Sequence, residues 1–382
     1  MILTQCPVCA APLPDLTAKQ CSRCKTRYCG PACQKKHWEE GGHANLCKKI
    51  KKGGGAEQYH ANKKYAEAVG AATMACAEDT KGQTCYICTQ ALHWKTKEGL
   101  VRMCACRGTA GFVHVSCLAE QAKILMDEAE ENRLSEEVFN ERWVRWHSCS
   151  LCEQRHHGVV ECALGWACWK TYVGRPERDR LRVMAMSVLG NGLLTAGHHE
   201  DALAVKEVEL SMQQRICVDE EDRLVAQANL AGTYLQVGRK EQASRMLRDV
   251  YSGTLRLHGE EHRETLRAAV CYASSSISLQ RFEEAKLLMR KAIPVARRVV
   301  DESDILMLTM RLNYAMALCN EPSATLDGLR EAVATLEELE RTGRRVLGGS
   351  HPTTKGIEGE LRNARAALAA REGDLCEALE AI

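Results

Sequence analysis

The sequence is poor in much that a self-contained catalyst, a membrane protein or a secreted protein needs. Among 382 residues there are only 3 Phe and 8 Pro, while Ala, Leu, Glu and Arg are abundant. That mix favours helices over sheets. No sign of charge dominates, because 52 Lys+Arg face 50 Asp+Glu for a formal net charge of +2. No global field therefore points to nucleic acid or a membrane surface. No apolar run is long enough to span a bilayer. Near the N-terminus, Cys and polar residues interrupt any charged-then-apolar leader pattern, so secretion is not expected. G-x-x-x-x-G-K-[ST], G-x-G-x-x-G and G-x-S-x-G are all absent, and Gly53-Gly54-Gly55 lacks the flanking strand and helix of a phosphate loop. With 45% hydrophobic and 27% charged residues, the chain reads as an intracellular globular protein, cytoplasmic or nuclear, of two or three domains.

What is present in excess is cysteine, 21 residues in all. In a reducing compartment, closely spaced cysteines are more often metal ligands than disulfides. Fourteen of them fall in two clusters, over 6–47 and 85–152. Cys76, Cys162, Cys168, Cys217, Cys271, Cys319 and Cys376 are scattered and read as small buried hydrophobes. For Cys162 and Cys168, close to His156 and His157, an extra metal site is the alternative reading.

The first cluster runs Cys6-x2-Cys9, Cys21-x2-Cys24, Cys29-x3-Cys33 and His43-x3-Cys47. Thiolate and imidazole are zinc's preferred ligands, and eight of them serve two tetrahedral ions. A C-x2-C pair aims both sulfurs from one tight turn, and an i, i+4 pair places both ligands on one helical face. So short a piece with almost no apolar core needs such a staple. The segments C-P-V-C, C-S-R-C, R-Y-C-G-P-A-C-Q-K-K-H-W and H-A-N-L-C resemble a MYND zinc finger. The resemblance implies interleaved pairing, with Cys6, Cys9, Cys29 and Cys33 on one zinc and Cys21, Cys24, His43 and Cys47 on the other. His37 is the alternative to His43, because four residues separate Trp38 from His43. Fingers of this family bind peptides, often proline-containing. Residues 1–55 carry ten Lys or Arg against three Asp or Glu, which reads as a solvated basic face more than as a nucleic-acid site.

The second cluster runs Cys85-x2-Cys88, Cys104-x-Cys106, His114-x2-Cys117 and Cys149-x2-Cys152. All eight positions are protein ligands, so no site remains for a zinc-bound water and metal-assisted hydrolysis is disfavoured. The run C-A-C-R-G-T-A-G-F-V-H-V-S-C-L resembles a RING-CH (RING-variant) domain. That resemblance implies one zinc on Cys85, Cys88, His114 and Cys117 and a second on Cys104, Cys106, Cys149 and Cys152. Such domains recruit a ubiquitin-conjugating enzyme and act as ubiquitin-protein ligases by positioning it, without a nucleophile of their own. Their contact surface centres on an apolar residue between the first two ligands. Here that residue is Ile87, with Leu118 and Trp146 beside it; packing between the zinc loops is the alternative role for Ile87. Ser150 stands where many such ligases carry proline, and Glu153 where many carry arginine. An acidic, helical insert is expected from Asp127 to Glu141. A PHD-like reader of histone tails shares the ligand order and an aromatic before the last pair, but the one-residue gap and the seven residues from Cys106 to His114 favour RING-CH.

Beyond the second cluster a period of 41–42 residues appears. Residues 189–202, 230–243 and 272–285 align, with Ala202, Ala243 and Ala285 in register; a fourth, degenerate copy begins at Tyr314-Ala315. Small residues recur where helices must approach, a Gly or Gln ends the first helix, and acidic residues open the second. Such a unit cannot bury its apolar face alone, so copies must stack into a solenoid. The segments resemble tetratricopeptide repeats of the kinesin-light-chain type, which bind extended peptides on a concave face. Asn229 and Asn313 fall on first helices, either facing the groove or packing. Trp166, Trp169 and Tyr172 share a helical face expected to pack the second zinc module onto the first repeat.

The expected architecture is therefore a pair of small zinc-stapled, cross-braced modules followed by an all-α tetratricopeptide-like solenoid. Its segments are a finger (1–50), a partly helical linker (51–82), a RING-CH-type domain (83–156) and helical repeats (157–382). Four zinc ions are expected. The expected partners are a ubiquitin-conjugating enzyme, a substrate in the repeat groove and a proline-containing peptide at the finger. The alternative is a scaffold with no transfer activity.

Overall fold

The computed structural model describes residues 6–380 except residue 12, residues 14–17 and residues 217–218, and gives the helical backbone alone over 374–380. Cys217 and the Cys376 side chain thus lie outside the described residues. Two compact units divide the chain, Met1–Cys217 and Val218–Ile382. The helices from Gly158 to Ile216, grouped by sequence with the repeats, fall within the first unit.

The first unit opens on a short antiparallel hairpin, β1 (Lys19–Gln20) and β2 (Arg27–Tyr28), followed by α1 (Pro31–Glu39) and α2 (His43–Lys52). The core beneath them is thin, and four of its nine buried residues are cysteines. Gly55 then takes φ +98°, and the Ala56 amide donates to the Cys24 carbonyl at 2.9 Å, tying α3 (Ala56–Ala75) to the finger. This 20-residue helix fills most of the stretch expected to be linker.

The second cysteine cluster leads into α4 (Val115–Glu131), α5 (Glu136–Trp143) and a 3-10 turn at Val144–Trp146. The acidic insert is the end of α4 joined to α5, and arginines hold it in place. Arg142 donates to Glu128 at 2.9 Å and Arg175 to both carboxylate oxygens of Glu130 at 2.7 Å.

Next comes α6 (Gly158–Tyr172), apolar on every side, with eleven of its fifteen residues buried. A helix without a polar face belongs at the centre of a core. Accordingly α3, α4 and α7 (Arg180–Thr195) surround it, and α8 (His199–Ile216) packs on α7. Gln58 of α3 donates to the Lys170 carbonyl at 2.9 Å, and Glu57 pairs with Arg182 at 3.1 Å. Trp166, Trp169 and Tyr172 share one core with Trp143 and Trp146, whose rings lie 5.9 and 5.7 Å from Tyr172. This joins the second zinc module to the helices that follow it.

The second unit is a run of antiparallel helices: α9 (Glu220–Gln236), α10 (Lys240–His258), α11 (Arg263–Ser278), α12 (Phe282–Ala296), α13 (Ile305–Cys319), α14 (Leu326–Val346) and α15 (Pro352–Glu380). Each packs on the next, and the first helices of successive pairs also touch. Asp219, Asp304 and Thr325 cap α9, α13 and α14 by accepting backbone amides. The breaks inside the three aligned copies share one geometry. Gly197, Gly238 and Gln280 all take positive φ, and the next amide reaches back five residues, as Arg239 does to Tyr234 and Arg281 to Ser276. Ala202, Ala243 and Ala285 are fully buried at the helix contacts. Cys76, Cys162, Cys168 and Cys319 are buried singly, and Cys271 is half-buried.

Helices α6 and α7 approach each other closely at two glycines, Gly165 and Gly192. A Cβ at Gly192 would sit 2.6 Å from the Glu161 carbonyl oxygen and 2.9 Å from the Cys162 Cα. Those are backbone atoms, so the helices themselves would have to part. Gly192→Ala is expected to cost about 1–3 kcal/mol. All six tryptophans lie in the first unit, so tryptophan fluorescence during denaturant unfolding reads that unit alone. An unchanged midpoint would contradict the close approach.

Candidate metal centres

Each C-x2-C pair sits on the same backbone turn. The first cysteine's amide donates to the carbonyl five residues on, and the amide four residues on donates back to the first cysteine's carbonyl. This holds at Cys6, Cys21, Cys85 and Cys149, at 2.8–3.0 Å throughout. The fifth residue of each turn, Ala10, Lys25, Thr89 and Glu153, takes a left-handed conformation with φ between 56° and 63°. Glu153 is thus a turn residue of the last knuckle.

The knuckles and the other pairs bring sixteen side chains into four groups. These are Cys6, Cys9, Cys29 and Cys33; Cys21, Cys24, His43 and Cys47; Cys85, Cys88, His114 and Cys117; and Cys104, Cys106, Cys149 and Cys152. Within each group the ligand atoms all lie within 4.8 Å of one another, and among the described residues these are the groups able to hold a metal. The grouping is interleaved along the chain, so each module is braced crosswise.

The dimensions suit zinc. A tetrahedral ion with zinc–sulfur arms of about 2.3 Å sets its sulfurs about 3.8 Å apart. Here Cys9–Cys29 and Cys29–Cys33 are 3.5 Å apart, Cys21–Cys47 3.8 Å and Cys106–Cys149 3.7 Å. The imidazole edges are 3.4 Å for His43 Nε2 to Cys24, and 3.3 and 3.6 Å for His114 Nδ1 to Cys88 and Cys117. A disulfide would need sulfurs about 2.0 Å apart. The protonation chemistry agrees. Hydrogen bonding between Cys104 and Cys149 pulls the Cys149 thiol down and pushes the Cys104 thiol up, and bonding to Cys33 pushes Cys29 up to about 12. Thiols packed so closely resist losing all their protons together, and a divalent cation removes that conflict. Burial holds His43 and His114 below the usual imidazole range, neutral and able to ligate. The Ala91 carbonyl lies 3.4 Å from His114 Nε2, leaving Nδ1 for the metal. The four clusters therefore fit four zinc ions.

Between the two histidine candidates of the finger, the structure brings His43 to the cluster. His37 Nδ1 instead lies 3.1 Å from the Tyr28 hydroxyl. Gly41 and Gly42 explain the long gap, because Gly42 takes φ +72° and starts α2 at His43.

Three expected contact residues are inside. Leu118 is 2% exposed and Trp146 0%, so both are packing residues, and Trp146 cannot line a cage for a histone tail. Asn313 is also buried, and its amide donates to the Val270 carbonyl and to Ser274 Oγ on α11 at 3.1 and 2.9 Å. It joins two first helices and does not face a groove. Asn229 is half-buried. Ile87 is on the surface at 37% exposure.

Sequence reasoning missed two features. Leu151, between the last two ligands, is 52% exposed. The Tyr86 and Ser150 hydroxyls, beside Ile87 and Leu151, lie 3.0 Å apart and hold the two knuckles together. Ser150 thus takes a bridging role. The second feature is a knuckle without cysteine. The His93 amide donates to the Glu98 carbonyl, the Lys97 amide donates to the His93 carbonyl, and Lys97 takes φ +59°. The Thr96 amide donates to His93 Nδ1 at 3.1 Å, replacing an amide–sulfur bond. The His93 ring abuts His114 at 5.4 Å and buttresses that ligand. The His-x2-Thr spacing, equal to that of the cysteine pairs, was the available signal.

Comparisons with known proteins match three segments. Residues 6–47 match the MYND finger, 85–134 the RING-variant domain and 223–264 the tetratricopeptide repeat. The chain thus carries zinc-binding and protein-interaction modules. No curated protein matches it. Among solved structures, a Podosopora anserina putative kinesin light chain with nearly identical TPR-like repeats is 17% identical, covering 61% of this chain and 97% of that one at a TM-score of 0.37. BtubC (BKLC) from P. vanneervenii is 15% identical over 69% of this chain and 93% of that one, at a TM-score of 0.36.

The fourth cluster also depends on one glycine. Gly111 takes φ +83°, and a Cβ there would meet Cys106 Cβ at 2.5 Å and Sγ at 2.9 Å. Gly111→Ala is expected to remove the ion held by Cys104, Cys106, Cys149 and Cys152 while sparing the other three clusters. Elemental analysis of the purified variant checks this, and a full metal load would contradict it.

Proposed function

We propose that the chain is a zinc-dependent ubiquitin-protein ligase of the RING-variant kind. The observation that carries this reading is the RING-variant match over residues 85–134, which hold six of the eight ligands that converge in two clusters. No ligand position is open there, so the module's contribution is to position a charged conjugating enzyme beside a substrate. Ile87 and Leu151, presented by adjoining knuckles, form the apolar contact for that enzyme. The finger over 1–50 takes a proline-containing peptide and the repeats take the substrate, with Asn229 as a groove residue. The RING-CH segment, 83–156, sits between these two recognition modules along the sequence.

Glu153 favours a second reading, a scaffold without transfer activity, since it stands where many ligases carry arginine. No helix among the described residues is long and apolar enough to cross a membrane.

An autoubiquitination assay with a panel of conjugating enzymes separates the two. The ligase reading predicts ubiquitin chains that disappear with chelation and with Ile87→Ala, while that variant keeps four zinc ions. Folded, fully loaded protein that forms no chains with any enzyme of the panel supports the scaffold.

A further inference from the structure

The four clusters differ in how their sulfurs meet solvent. Cys21, Cys24, His43 and Cys47 are all buried, beneath Tyr28 and beside His37. In the third cluster only Cys88 is even half-buried, and in the fourth Cys149 is buried and the rest half-buried. The first cluster alone has exposed ligands. Cys9 and Cys29 are exposed and Cys33 is half-buried, while Cys6 lies behind them. The three outer sulfurs make a triangle with edges of 3.5, 3.5 and 3.8 Å. The cluster is also all-thiolate, so its ion carries a larger surplus of negative charge than the two that include histidine. Exposure and thiolate character are what make sulfur react.

We propose that Cys6, Cys9, Cys29 and Cys33 form an oxidant-reactive zinc site, with Cys9 and Cys29 the residues modified, while the other three clusters hold their metal. Two bound thiolates each give up one electron and join as a disulfide. The O–O bond of a peroxide breaks, takes up those two electrons and two protons from solvent, and leaves as two waters. The zinc, left with two cysteines, passes to solvent. The first turn of α1, held by Cys33, loses its anchor. His43 and Cys47 on α2 remain in the buried cluster, so the finger keeps one of its two clamps.

The test uses the full zinc-loaded chain and hydrogen peroxide added in small increments. Released zinc is followed with a chromogenic chelator, and the oxidised cysteines are mapped by differential alkylation and mass spectrometry. The expected result is an early phase of one zinc per chain accompanied by a Cys9–Cys29 disulfide, with helical circular dichroism little changed; a first disulfide that takes Cys33 in place of Cys9 contradicts the assignment. Release of all the zinc in one phase, or a first equivalent accompanied by oxidation of Cys104, Cys106 and Cys152, overturns the proposal. Cys29→His keeps a ligand but removes a thiolate, and is expected to slow the early phase severalfold. Should that variant load one ion fewer, its early phase must vanish; an early phase that persists contradicts the assignment.

Discussion

The bond between zinc and thiolate is the interaction on which the first part of the chain depends. Its finger has a buried core of nine residues, four of them ligands. Burial on that scale supplies too little free energy to order four knuckle and helix segments. A structural zinc site contributes about 10 kcal/mol or more at neutral pH, enough to change the sign of that balance. Because each ion draws ligands from two separated stretches, the metal also fixes topology. Left-handed residues at Ala10, Lys25, Thr89 and Glu153 are a conformational cost that this bracing sustains.

The second zinc module adds ordinary packing to the metal. Its helix α4 and the 3-10 turn press Leu118, Met126 and Trp146 inward, and α6 receives them from the other side. Residues that look like a recognition surface in the linear sequence therefore serve as mortar between module and helices. Outside, the bridged knuckles present Ile87 and Leu151, Leu92 and Trp94 lie exposed at the metal-free knuckle, and Ile124 and Val144 are exposed on the helical part. The proposed ligase role asks of this module only a small rigid apolar platform, since its contribution to rate would be orientation.

Much of this was legible in residue spacing. Ligand pairs at i, i+3 and i, i+4 are set by local geometry, so the four cysteine knuckles could be read directly. The repeat breaks at Gly197, Gly238 and Gln280 were legible for a similar reason, because a helix end needs a left-handed residue wherever it occurs. Burial was harder to read. Leu118, Trp146 and Asn313 turned inward because of partners far away in sequence, such as Tyr172 and Val270. The unit boundary at Cys217 was hidden too, since α7 carries the same repeat pattern as α9 but packs on α6 through Gly165 and Gly192. The His93 knuckle carries no cysteine, so ligand spacing does not reveal it; Thr96 stands where the second cysteine of a knuckle would be.

The most direct measurement of the central claim combines metal content with zinc X-ray absorption on the purified chain. The account predicts four zinc ions per chain in tetrahedral shells, fourteen sulfurs and two imidazole nitrogens in all. A load well below four, or the same cysteines found joined in pairs as disulfides, would contradict it.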